Sequence, residues 1–165
     1  IDKSRFKKFQ NIANIKANVI SYRKKDKYDF AISKLLMHFL TEKKQLKFLK
    51  NAYYNLKPGG YFLLINFVND DKKSYSTRMK IMGIIYGYKK IVRPENPISS
   101  KLLKLCRKSG FKIVRYKKFN YYLSVDDFYK NRFKLTGSQT KSIIHILRFN
   151  HHRSAQIGIL MQKPL

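Results

Sequence analysis

Residues 28–67 read YDFAISKLLMHFLTEKKQLKFLKNAYYNLKPGGYFLLINF, and this stretch constrains the fold more than any other. Residues 28–33 are a short apolar run of strand length, with a carboxylate, Asp29, near its start. After a loop comes an amphipathic helix. Thr41 is its expected N-cap, and Glu42 falls in the first turn, where a carboxylate meets the positive end of the helix dipole. Leu46, Leu49, Tyr53 and Leu56 recur at i, i+3, i+7 and i+10, on one face. Lys57-Pro58-Gly59-Gly60 ends the helix, because proline cannot continue it and glycine allows the chain to reverse. Residues 61–68 are almost continuously apolar, as expected of a strand covered on both faces. Strand, crossover helix and strand predict a βαβ unit and a parallel pairing.

Downstream the rhythm is broken twice. Residues 69–97 open on Asp70-Asp71-Lys72-Lys73 and close around Pro94 and Pro97. Between them Met79, Ile81, Met82, Ile84, Ile85 and Tyr88 predict an apolar helix. Residues 98–109 form an amphipathic helix on Ile98, Leu102, Leu105 and Cys106, ended by Gly110, and 111–116 read as a strand. Residues 121–149 form the second interruption. There Ser124 caps a helix carrying Asp126 and Asp127, and Ser138 starts another with Ile143, Ile144 and Leu147. Residues 156–162 are a final strand, expected to be antiparallel. Upstream, residues 18–22 are a candidate strand. Residues 5–14 form a helix with Phe6, Phe9 and Ala13 on one face, which Asp2 or Ser4 would cap.

A chain of 165 residues with 44% hydrophobic side chains is long and apolar enough for one folded domain. Lys and Arg number 37 against 9 Asp and Glu, a net charge of +28. Such a charge attracts nucleic acid and other polyanions. Scattered lysines in a chain rich in Asn, Ile, Phe and Tyr also fit a purely compositional origin. The lone Cys106 excludes an intrachain disulfide and a thiolate metal cluster. His145, His151 and His152 lack the spaced carboxylates or thiols of a metal site, so no metal is expected. No apolar run approaches the roughly 20 residues needed to span a bilayer, and a reducing, cytoplasmic setting without membrane contact is the expectation.

Tyr28-Asp29, His38 and Leu56-Lys57-Pro58-Gly59-Gly60 resemble the second half of the class I, S-adenosylmethionine-dependent methyltransferase domain. That family has an "FD-apolar" fourth strand, a loop often carrying a histidine, a helix, and an LKPGG turn into the fifth strand. Ser109-Gly110-Phe111 is similar to the family's entry to its last hairpin, and Asp2 and Ser4 to the junction after its second strand. The resemblance implies a three-layer, Rossmann-like α/β sheet, mostly parallel with an antiparallel last strand, in which 18–22 is strand three. It implies S-adenosylmethionine as cofactor. Asp2 would bind its ribose, Asp26 would be the acidic residue near the adenine, and Ser33 and Lys34 would line its amino-acid end. His38 would stand near the transferred methyl as base or hydrogen-bond partner, although a packed loop histidine is the simpler alternative. Residues 69–97 and 120–154 would be substrate-facing insertions in a single domain.

The seven glycines include no G-x-G after a strand. On the resemblance, strand one and the glycine-rich loop are therefore missing, and the domain is expected to be truncated at its amino end. Three functions stay open. The first is methyl transfer to an unidentified acceptor, whether a small molecule or RNA. The second is cap guanine-N7-like methylation of RNA, suggested by His38-Phe39, by Asn51-Ala52 through Tyr61-Phe62, and by the charge. The third is an inactive fragment or a basic scaffold that binds RNA or a partner.

Overall fold

The computed structural model describes residues 15–70, 72–87, 97–148 and 151–165. The βαβ unit forms as the pattern predicts: β1 (Tyr28–Lys34) runs parallel to β2 (Leu56–Val68), and α1 (Glu42–Asn55) crosses between them. Tyr28 pairs with Leu56, and the ladder then jumps to Phe30 with Tyr61. Lys57-Pro58-Gly59-Gly60 is thereby looped out of the ladder, where the missing N–H of proline costs no pairing. Gly59 takes a φ of +77°, a conformation open to glycine. Gly60 lies against β1: a Cβ there would stand 2.9 Å from the Lys57 carbonyl oxygen and 3.1 Å from that of Asp29.

The chain continues through α2 (Lys72–Tyr86), α3 (Ser99–Lys108) and β3 (Lys112–Ser124). A π-helical turn (Val125–Lys130) leads into the short α4 (Asn131–Phe133), then α5 (Gly137–Leu147) and β4 (His151–Gln162). The strand order is β1-β2-β4-β3, with β4 antiparallel to both neighbours. The other three strands share one direction, so the last strand is the antiparallel one, as expected.

Helices α1 and α3 cover one face of the sheet. Phe48 and Leu49 of α1 and Leu102, Leu105 and Cys106 of α3 pack with Phe62, Leu64, Ile157, Ile159 and Met161. Burial pushes the Cys106 thiol up to about 12, so it is an inert core group. The opposite face is open near β1, where Phe30, Ile32 and Tyr61 are 53%, 61% and 39% exposed. Residues 61–68 therefore alternate between buried and partly exposed instead of being covered equally on both sides. A second cluster joins Ile81 of α2 to Leu123, Val125, Tyr129, Leu135 and Ile143.

Four local expectations change. Residues 18–22 are a turn, not a third strand. The Asn18 carbonyl accepts from the Ser21 and Tyr22 N–H groups at 3.0 and 2.8 Å, and its side chain accepts from Ile20 N–H at 2.9 Å. No described strand lies beside this segment to pair with it. Its polar groups are met instead by α1, with Asn51 donating to the Ile20 carbonyl and Asn55 to that of Tyr22 at 3.2 Å. Thr41 is the N-cap residue of α1, but its hydroxyl makes no capping bond. Strand β3 runs on to Ser124 because its ladder with β4 extends to the Ser124–His151 pair, so 121–124 belong to the sheet. Helix α5 is capped by Thr136 in a reciprocal box with Gln139, ahead of Ser138. Ser124 caps as expected, accepting from Asp127 N–H at 3.2 Å.

The close approach at Gly60 gives a direct test. Gly60→Ala should lower stability by about 1–3 kcal/mol, because backbone oxygens cannot swing aside. Gly137→Ala, where an added Cβ meets nothing within 4 Å, should match or slightly exceed the parent. Urea denaturation midpoints of the two variants measure the contrast.

Candidate active site

Parallel pairing places the carboxyl ends of β1 and β2 side by side, and this is where open α/β sheets bind ligands. Ser33 and Lys34 end β1, the first partly buried and the second exposed. Leu35 then adopts a φ of +57°, held there by its N–H donating to the Ile65 carbonyl at 2.8 Å. A non-glycine residue in this region is strained, and the turn it forces sends the chain into the single 3-10 turn Met37–Phe39.

That turn is fixed from below by two buried amides. Asn66 Oδ1 accepts from Met37 N–H at 3.1 Å, and Asn66 Nδ2 donates to the Phe67 carbonyl at 2.8 Å. Gln45 Nε2 donates to the Met37 and Leu40 carbonyls at 2.8 and 3.1 Å. Asn66 is fully buried and Gln45 nearly so. Their hydrogen bonds replace those that water would make to this loop backbone.

His38 is thereby held against Phe39 and Phe67, with ring centroids 4.0 and 5.8 Å apart. Arg78 of α2 lies over the same Phe67 ring, its guanidinium carbon 5.6 Å from the ring centre. Burial, with the Arg78 charge adding to it, lowers the imidazole to about 4, against a hydrogen bond with Asn66 that opposes the shift. His38 is thus neutral at pH 7. Its Nδ1 is buried and has no hydrogen-bond partner among the described residues.

The expected site residues divide into three groups. Ser33, Lys34 and His38 come together at the carboxyl end of β1. Asp26 does not join them. It precedes β1 at the opposite end of the strand, where Lys163 Nζ pairs with it at 2.6 Å, and the same ammonium donates to the Leu56 carbonyl at 2.8 Å. Asp2 lies outside the described residues. Sequence reasoning missed Asn66, Gln45 and Arg78. The available signals were one amide inside YFLLINFV and one arginine among the lysines of α2.

The likeness to solved structures decides the fold. A methyltransferase structure from Bacillus halodurans, described as putative, superposes with a TM-score of 0.75 over 99% of this chain and 86% of its own, at 14% identity. This chain has the class I S-adenosylmethionine-dependent methyltransferase fold. The YcgJ protein of Bacillus subtilis gives 0.67 over 90% of this chain and 70% of its own, at 13% identity. A SAM-dependent methyltransferase from Methanosarcina mazei gives 0.57 over 90% and 66%, at 17% identity. The family model described as tellurite resistance protein TehB matches residues 2–81, which include β1, α1 and β2. No curated protein matches the sequence. Among the described residues no His, Cys, Asp and Glu cluster could hold a metal, and no helix is long and apolar enough to cross a membrane.

The depressed imidazole makes stability depend on pH in a defined window. The unfolded chain takes up a proton on His38 near 6.5, whereas the folded chain does so only near 4. Stability should therefore fall as pH drops from about 6.5 to about 4, and then level off for this group. Asp70 titrates lower. Burial alone would raise its carboxyl, but Lys118 and Ser99 hold it below the usual range, so its loss comes at more acid pH. Urea unfolding at half-unit steps should show the His38 slope, and His38→Gln should remove it.

Proposed function

We propose that this chain binds S-adenosylmethionine at the carboxyl end of β1 and transfers its methyl group to an acceptor beside His38. The observation that carries this reading is the buried, neutral imidazole with an unmet Nδ1, at the ligand-binding end of a methyltransferase sheet. Ser33 and Lys34 support this reading at one end of the cofactor. The Lys34 ammonium and Ser33 hydroxyl suit a carboxylate and amine, as at its amino-acid end. Asp26, expected near the adenine, is tied to Lys163. The cofactor would supply an electrophilic methyl carbon on sulfur. The chain's own residues position the acceptor, and the His38 Nδ1 lone pair accepts a hydrogen bond or proton from the acceptor's nucleophilic atom. With the cofactor bound, the acceptor's nucleophilic atom would take the methyl carbon and S-adenosylhomocysteine would be the product.

A second reading is a scaffold without catalysis. Its support is the net charge of +28, which attracts polyanions independently of any cofactor. Calorimetric titration of the purified chain with S-adenosylhomocysteine separates the two. Methyl transfer predicts saturable, one-site binding that is weakened in Ser33→Ala/Lys34→Ala. No heat from a chain folded by circular dichroism would overturn it in favour of the scaffold.

A further inference from the structure

Arg78 is a largely enclosed cation that the methyl-transfer reading does not use. Its guanidinium lies over the Phe67 ring, and burial lowers its proton affinity, with Tyr129 the neighbouring group that opposes this. None of the ion pairs among the described residues includes it: those join Lys57, Lys101, Lys118 and Lys163 to Asp29, Glu42, Asp70 and Asp26. A guanidinium withdrawn from water without a carboxylate is costly unless something else meets its charge. An aromatic ring satisfies one face of the group and leaves the N–H edges for a second partner.

Three further groups surround it. His38, from the turn after β1, is close enough for the Arg78 charge to lower its proton affinity. Tyr129, from the second cluster, is nearly fully buried, and burial pushes its hydroxyl up to about 12, so it stays protonated. Phe67 is shared by Arg78 and His38, its ring centre 5.6 Å from the Arg78 guanidinium carbon and 5.8 Å from the His38 ring. The site thus combines a planar fork of donors, a neutral base and an aromatic floor, with no described carboxylate paired to the fork. Such a fork matches the two oxygens of a carboxylate or phosphate.

We infer that Arg78 binds an oxyanion, and that the methyl acceptor carries one, as a carboxylate or a phosphate ester. The second half rests on the methyl-transfer reading, whereas the first half stands alone. The arrangement divides the work. Arg78 anchors the anionic group, and His38 Nδ1 faces the nucleophile on the same molecule. Occupancy also changes His38, because a bound anion offsets the Arg78 charge that holds the imidazole low. The base strengthens when the acceptor is present.

That coupling gives a readout needing no cofactor. The chain, carbon-13 labelled at histidine, is titrated by NMR from pH 7 to 3.5 alone, with inorganic phosphate, and with formate. The His38 resonance, assigned by its loss in His38→Gln, should titrate near 4 alone. Its midpoint should rise by about one pH unit, a tenfold gain in proton affinity, with the matching anion. A response to phosphate alone assigns a phosphate ester, and a response to formate alone assigns a carboxylate. In Arg78→Gln the midpoint should start higher and ignore both anions. Arg78→Lys, which keeps the charge, guards against a folding defect and should retain the low midpoint with a weaker response. An unmoved midpoint in the parent, or an equal shift in Arg78→Gln, overturns the inference. Neither result bears on S-adenosylhomocysteine binding, so the two proposals fail separately.

Discussion

The site exists because β1 and β2 can lie side by side in parallel, and that approach depends on Gly60 having no side chain. Backbone oxygens of Lys57, Asp29 and Tyr28 crowd the space a Cβ would fill, so any larger residue would force the two strands apart just where pairing resumes. With the strands together, the carboxyl end of β1 carries Ser33, Lys34 and the strained Leu35 up to the end of β2 that carries Asn66 and Phe67. The 3-10 turn bearing His38 then has one place to go. Its backbone is bonded by Asn66 from the strand and by Gln45 from the crossover helix.

Two opposed effects set the chemistry of that turn. Hydrogen bonding with Asn66 favours a charged imidazole, while burial and the Arg78 guanidinium disfavour it more strongly. Neutrality wins, and the ring keeps a lone pair on one nitrogen. The guanidinium itself lies over the Phe67 ring. Arg78 is therefore the one charge of the pair, and an anion beside it would weaken its opposition to protonation of His38. At the other end of the sheet the ionic work is done differently. Lys163 closes the amino end by joining Asp26, the Leu56 carbonyl and, through its backbone, Gly60.

Much of this was legible in the sequence, and the failures have physical reasons. The 28–67 unit, α3, the antiparallel last strand and the carboxyl-end grouping of Ser33, Lys34 and His38 follow from periodicity, the Pro-Gly-Gly turn and the family resemblance. Residues 18–22 have a strand's composition, yet extended backbone needs a neighbour, and the asparagines of α1 offered competing partners that composition cannot reveal. Asp26 was placed by chain order, whereas its position is decided by Lys163, 137 residues away. Asn66 and Arg78 stayed hidden because their roles come from contacts between separate elements. Asn66 looked like a flaw in an apolar strand, and Arg78 like one more cation in a chain of net charge +28.

Methyl transfer as proposed requires ligand chemistry at the carboxyl ends of β1 and β2. A crystal structure of the chain grown with S-adenosylhomocysteine and the anion selected by the NMR titration tests it most directly. The expected result is density for the ligand's amino-acid end beside Ser33 and Lys34, with the anion on Arg78 and its neighbouring atom within hydrogen-bonding distance of His38 Nδ1. Ligand density at the Asp26–Lys163 end, or an Arg78 guanidinium turned out to solvent with His38 bonded to protein at both nitrogens, would contradict it.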